Sequence, residues 1–188
     1  MPAAIPANNE FENANVVSVH ETFIACSAQE TGALLDRFDE AASPCWPHAA
    51  WPRDAFDGPL AVGALGGHGA TRYRVVAYRP GREVVFRFES PAGFEGVHGL
   101  RIEAGGGGTT VTHFTRLRLS LYHFCMWHCV VRWVHDALIG DLLDGMERHL
   151  TGTVARPRRW KRRVHVFRHA LGGSRLLMDN IKSIWRNA

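Results

Sequence analysis

Residues 109–150 read TTVTHFTRLRLSLYHFCMWHCVVRWVHDALIGDLLDGMERHL, and the spacing of their apolar side chains changes part-way along. From Thr109 to Leu119 the period is two. Val111, His113, Thr115, Leu117 and Leu119 share one phase, opposite Thr112, Arg116 and Arg118, as in a strand wet on one face. From about Tyr122 to Leu150 the period becomes 3.6. With Phe124 as origin and roughly 100° per residue, Val131, His135, Leu138, Leu142, Met146 and His149 fall within about 40° of it. This is one stripe of a helix on the order of 40 Å long. Such a helix cannot bury its stripe alone, and the strands before it are the obvious partner.

Upstream, the period of two continues. Phe94 to Glu103 reads as a strand joined to the next by a loop at Gly105–Gly108. Glu83 to Glu89 alternates with Val84, Phe86 and Phe88 on one face. Arg72 to Arg79 ends at the turn pair Pro80-Gly81. Short turns favour antiparallel pairing, and an all-helical chain fits this period poorly. Before it, Gly63, Gly66, Gly67 and Gly69 suggest a flexible turn around His68. Pro44, Pro47, Pro52 and Pro59 forbid a long helix but permit one or two short ones. Ser27-Ala28-Gln29-Glu30 is a capping box opening a short helix through Leu34 and Leu35. Val16 to Ile24 is rich in β-branched residues and reads as a first strand. The resulting class is α+β: a curved antiparallel sheet around a long C-terminal helix, with two short helices after the first strand.

The 188 residues are 46% hydrophobic and 21% charged, enough for one domain with a core and too apolar for wholesale disorder. The net charge of +4 hides a division: residues 1–150 hold 12 Lys/Arg against 17 Asp/Glu, and residues 151–188 hold 10 against 1. A groove for nucleic acid would carry its cations on the folded body, so no nucleic acid is expected. No stretch approaches the roughly 20 apolar residues of a membrane span, and MPAAIPANNEFENAN lacks a leader's basic start and apolar block. Four cysteines without a CxxC pair suit a reduced, cytoplasmic chain. The chain divides into a flexible lead (1–14), a domain (15–150) and a basic extension (151–188).

The order strand, short helices, antiparallel strands, long helix resembles the helix-grip arrangement of the SRPBCC or START-like superfamily, which includes polyketide cyclase/dehydrase-type and lipid-transfer proteins. The phrases Gly66-Gly67-His68-Gly69, Tyr78-Arg79-Pro80-Gly81-Arg82, Phe94-Glu95-Gly96-Val97-His98 and His135-Asp136-Ala137-Leu138 strengthen the likeness to an uncharacterised branch. The resemblance covers about 16–150. It implies a cavity between sheet and helix that holds a lipid- or polyketide-like molecule, in some members with catalysis. Fold likeness alone does not choose between these roles.

Strand parity names the lining. With Phe86 and Phe88 inward, the inner face of the next strand carries His98 and Leu100. A hairpin centred on Gly106–Gly107 then sets His98 opposite Thr115 and Leu100 opposite His113. The two histidines become diagonal neighbours, roughly 7–8 Å apart. The helix adds Val131, His135 and Leu138, with His128 at the edge of the stripe, and Tyr73 joins from its own strand. A lone histidine on an apolar face is ordinarily a satisfied core residue. Two on neighbouring strands, facing one or two on the helix, point to polar anchoring of an apolar ligand. The same face would suit a cyclase or dehydratase that polarises a carbonyl or abstracts an α-proton, with His98, His113 and Tyr73 as the capable groups. No metal or cofactor is expected. His128 and His135 lie seven residues apart on the helix, too far for one ion, and Cys125 and Cys129 read as inert thiols. There is no GxSxG elbow, and Gly105–Gly108 lacks the Lys-Ser/Thr of a phosphate cradle.

In the extension, Arg156 to Arg163 is a basic cluster, and Leu177, Ile181, Ile184 and Trp185 share a helical face. Three readings stand: a solvated tail, a helix folded back onto the acidic body, or peripheral docking through 156–188 on an anionic membrane at the inner surface.

Overall fold

The computed structural model describes residues 13–172. Its elements are β1 (Val16–Ile24), α1 (Ala28–Leu35), β2 (Asp54–Phe56), β3 (Leu65–His68), β4 (Thr71–Arg79), β5 (Glu83–Ser90), β6 (Phe94–Gly105) and β7 (Gly108–Leu119). There follow α2 (Leu121–Met126), a π-helical turn (Trp127–Val131), α3 (Arg132–Thr151) and α4 (Arg162–Gly172). The strands form one antiparallel sheet in the order β1-β7-β6-β5-β4-β3-β2, leaving β1 and β2 at its edges.

Gly106 and Gly107 close the β6–β7 hairpin with φ of 61° and 80°, the positive pair of a two-residue turn that matches strand twist. This fixes the register: His98 pairs with Thr115 and Leu100 with His113, as the turn position predicts. The long helix lies across the concave face. Leu138, Leu142 and Met146 of α3 are buried against Tyr73, Val75, Val84, Phe86, Leu100 and Val111 of the sheet. Each such side chain contributes about 1.5–3 kcal/mol on burial, so this contact is a large stabilising term of the fold. Ser27 caps α1 as expected: its Oγ accepts from the Glu30 backbone N–H, and the Ser27 N–H donates to the Glu30 carboxylate. At the other end of α1, Asp36 Oδ1 accepts from Tyr78 Oη and from the Gly81 N–H, each at 2.7 Å, tying the helix to the β4–β5 turn.

The structure corrects the sequence reading in three places. A single helix follows β1; residues 37–51 form successive turns whose backbone N–H groups mostly reach the third residue back, and no second helix forms there. Gly66 and Gly67 lie with His68 in strand β3, paired on both sides, while Gly63 and Gly69 occupy turns at its two ends with φ of 99° and 54°. Gly66 is needed there because a Cβ would lie 2.5 Å from the Phe56 ring. Thirdly, the π turn inserts one residue into the long helix. Upstream of it the inward face moves from Phe124 and His128 to His123 and Trp127, which are buried, while His128 is exposed. His149, at the far end of the expected stripe, is also exposed.

The start of the basic extension folds back on the body. The Ala155 N–H donates to Glu147 and the Arg158 N–H to Asp144, with the Arg158 guanidinium also on Asp144 and on the Glu21 carbonyl. Trp160 Nε1–H reaches Asp141, which also accepts from Trp51. The expected apolar helical face at Leu177–Trp185, and residues 1–12 of the lead, lie outside the described residues. Among the described residues no helix is long and apolar enough to cross a membrane.

Candidate functional site

Because β6 and β7 are in register, their inner faces bring His98, Leu100, His113 and Thr115 together under α3. All four expectations from strand parity hold as placements. Leu100, His113 and Thr115 are buried, and the His98 ring lies between Tyr73, Phe86 and Phe88 at centroid distances of 5.0, 5.0 and 4.6 Å. From the helix, His135 approaches Thr115 Oγ1 through Nε2 at 3.3 Å, and Leu138 joins the main core. Val131 packs elsewhere, in a second cluster with Phe94, Leu117, Leu119 and Trp127.

Three residues that sequence reasoning did not select complete the face. His68, on β3, touches Trp46 at 4.9 Å and Tyr73 at 6.2 Å. Asp54, on β2, accepts from Tyr73 Oη at 2.5 Å, with β3 lying between their strands. His20, on β1, sits 6.4 Å from His113 and 5.9 Å from His135, ring to ring. A line of rings therefore runs from Trp46 through His68, Tyr73, His98 and His113 to His20 and His135. The last two meet the Asp136 carboxylate: His20 Nε2 is 3.2 Å from Asp136 Oδ1, and His135 Nδ1 is 3.5 Å from it.

Burial governs the protonation of this line. It pulls His68 down to about 4 and His98 down to about 3, with neighbouring imidazoles adding to the effect. His113 is driven well down by burial and by the imidazoles of His135, His98 and His20. Burial also lowers His135, against the opposing pull of Asp136. These four are neutral at pH 7. Burial lifts Asp54 to about 6 in spite of its hydrogen bond from Tyr73. Three imidazole nitrogens on this face, His98 Nε2, His113 Nδ1 and His135 Nδ1, and the carboxylate oxygen Asp54 Oδ2 are buried with no hydrogen-bond partner in the protein. Neutral imidazoles can donate or accept, so such a wall can orient a carbonyl or a hydroxyl.

No protein-family model matches the chain, and no curated protein matches it in sequence. Solved structures do match its fold. CalU16 from Micromonospora echinospora is 14% identical with a TM-score of 0.53, over 84% of this chain and 86% of that one. A protein from Thermobifida fusca is 15% identical with a TM-score of 0.59, over 77% and 99%. DynU16, a protein in the dynemicin biosynthetic locus, is 17% identical with a TM-score of 0.51, over 74% of this chain and 49% of that one. At these identities the likeness speaks to architecture: the chain has the helix-grip fold of the SRPBCC/START-like proteins.

Proposed function

We propose that the chain binds a hydrophobic small molecule, lipid- or polyketide-like, between the sheet and the long helix. The observation that carries this reading is that His98 Nε2 and His113 Nδ1, two of the three such imidazole nitrogens here, are buried without hydrogen-bond partners in the protein on a largely aromatic and aliphatic face. A buried polar group left unsatisfied costs about 1–3 kcal/mol. A ligand with an apolar body and a carbonyl or hydroxyl oxygen would satisfy those nitrogens. Phe86, Phe88, Leu100 and Leu138 would meet its apolar part, and Tyr73 and Thr115 would border it. Val131, packed in the second cluster, is left out of this site. The fold shared with DynU16 makes a biosynthetic intermediate the first ligand class to try.

One observation favours a second reading, a cyclase- or dehydratase-type enzyme. Asp54, lifted to about 6, is matched to proton transfer near neutral pH, and it is coupled through Tyr73 to the ring of His98. His98, held at about 3, is too weakly basic for that task and serves as a hydrogen-bond partner instead.

The test is displacement of an apolar fluorescent probe by two ligands of equal size, a ketone and its hydrocarbon isostere. His98→Ala and His113→Ala should weaken the ketone roughly tenfold, the worth of about one hydrogen bond, and leave the hydrocarbon unchanged. Equal affinity of wild type and variants for the ketone would overturn the binding reading. Turnover lost in Asp54→Asn with ketone binding intact would establish the second.

A further inference from the structure

His20 comes from the edge strand β1, and His135 and Asp136 come from α3, so their meeting is invisible to spacing along the helix. Nitrogen and oxygen donors of all three lie within 4.8 Å of one another. His113, 3% exposed and with Nδ1 lacking a protein partner, stands behind them. The three imidazoles form a nearly regular triangle, with centroid separations of 5.4 Å (His113–His135), 5.9 Å (His20–His135) and 6.4 Å (His20–His113).

That size has a chemical meaning. Imidazole nitrogens ligate Zn2+ at ~2.1 Å, which puts ring centroids ~3.2 Å from the ion and, at a tetrahedral angle, ~5.3 Å from one another. The observed triangle is larger by about 1 Å at most, a shift that side-chain rotation supplies. We propose that His20, His135 and Asp136, with His113 as fourth ligand, form a binding site for a divalent transition-metal ion of the Zn2+ class.

Each donor is suited to the role. His135 turns Nδ1 towards the carboxylate while its Nε2 meets Thr115 Oγ1 at 3.3 Å, the outer hydrogen bond that orients a ligating imidazole. His20 Nε2 already faces Asp136, and the Ser18 hydroxyl at 3.1 Å is a weak partner for an ion to displace. The donors are imidazole and carboxylate, which suit Zn2+, Co2+ or Ni2+ and disfavour Mg2+ or Ca2+. Side-chain exposures of 21%, 16% and 30% for His20, His135 and Asp136 leave an entry path from solvent. His113 also belongs to the wall proposed for the organic ligand, so the ion is tested on the chain free of that ligand.

The experiment uses the full chain, stripped by chelator and free of added ligand, titrated with Zn2+ by calorimetry and with Co2+ by visible absorption. One equivalent should bind, with Co2+ giving the intense ligand-field bands of a four-coordinate site. His20→Ala and Asp136→Asn should each weaken Zn2+ binding by at least roughly 100-fold, and Thr115→Val by roughly tenfold. Cys125→Ser combined with Cys129→Ser should leave binding unchanged, since both thiols are exposed and lie outside the cluster. In the wild type, Zn2+ should shift the imidazole 15N resonances of His20, His113 and His135, a readout that requires no variant to fold. Unaltered affinity in His20→Ala, loss of binding in the cysteine variant, or shifts confined to other histidines would each overturn the proposal.

Discussion

Lowering the pH from 7 to 4.5 should destabilise this protein progressively, because the buried imidazoles must stay neutral in the fold. A free histidine titrates near 6.5, whereas His98 and His68 are held at about 3 and about 4. Below 6.5 the unfolded chain takes up protons that the folded chain refuses. Stability present above 6.5 is therefore lost as the pH falls towards those folded values. At pH 4.5 the loss is about 2 to 3 kcal/mol for each of the two. Asp54 acts oppositely: its folded value of about 6 lies above the free value, so its contribution is full below 3.8 and fades as the pH rises through 6. Acidification to 4.5 therefore returns about 2 kcal/mol through Asp54, leaving a net loss of about 3 kcal/mol from these three groups. His113 and His135, also lowered by burial, add to the loss. Urea unfolding followed by tryptophan fluorescence at pH 7 and 4.5 measures it, and His98→Phe should remove about one proton from the slope. Equal stability at the two pH values, or an unaltered slope in His98→Phe, would refute the reasoning.

Other consequences are more local. Arg158→Ala leaves the buried Asp144 carboxylate with only the backbone N–H of residue 158 and should cost about 2–3 kcal/mol in denaturant unfolding, so the extension is structural at its start. Tyr73→Phe deprives Asp54 of its buried donor and should cost about 1–3 kcal/mol at pH 8; a smaller penalty at pH 4.5, where Asp54 is protonated, checks the assignment. Asp36→Ala removes two hydrogen bonds between α1 and the β4–β5 turn and should lower the urea midpoint by the equivalent of about 2 kcal/mol.

Periodicity made the sheet and long helix legible because one face of each is buried, and the two glycines of the β6–β7 turn then set the register of His98 and His113. What stayed hidden had physical reasons. On β1 the apolar side chains mislead: Val17, Val19 and Phe23 point outward at 62%, 55% and 50% exposure, while Ser18, His20 and Thr22 share the inner phase with buried Val16 and Ile24. The flanking pair Val16 and Ile24 was the usable signal, and it places His20 inside. On β3, Gly66 and Gly67 carry no strand propensity; pairing with β4 and the Phe56 ring overrides that, and His68 goes with it. The π turn cannot be read from a constant angular step, which is why His128 was placed on the edge of the inner face.

The central claim, that the imidazole-lined face holds an apolar ligand, is tested most directly by native mass spectrometry of the chain purified from its own host. The account predicts one co-purified apolar molecule per chain in the wild type, released on denaturation and depleted in the His98→Ala, His113→Ala double variant. A wild-type mass equal to the polypeptide alone, or a bound molecule retained undiminished by a folded double variant, would contradict it.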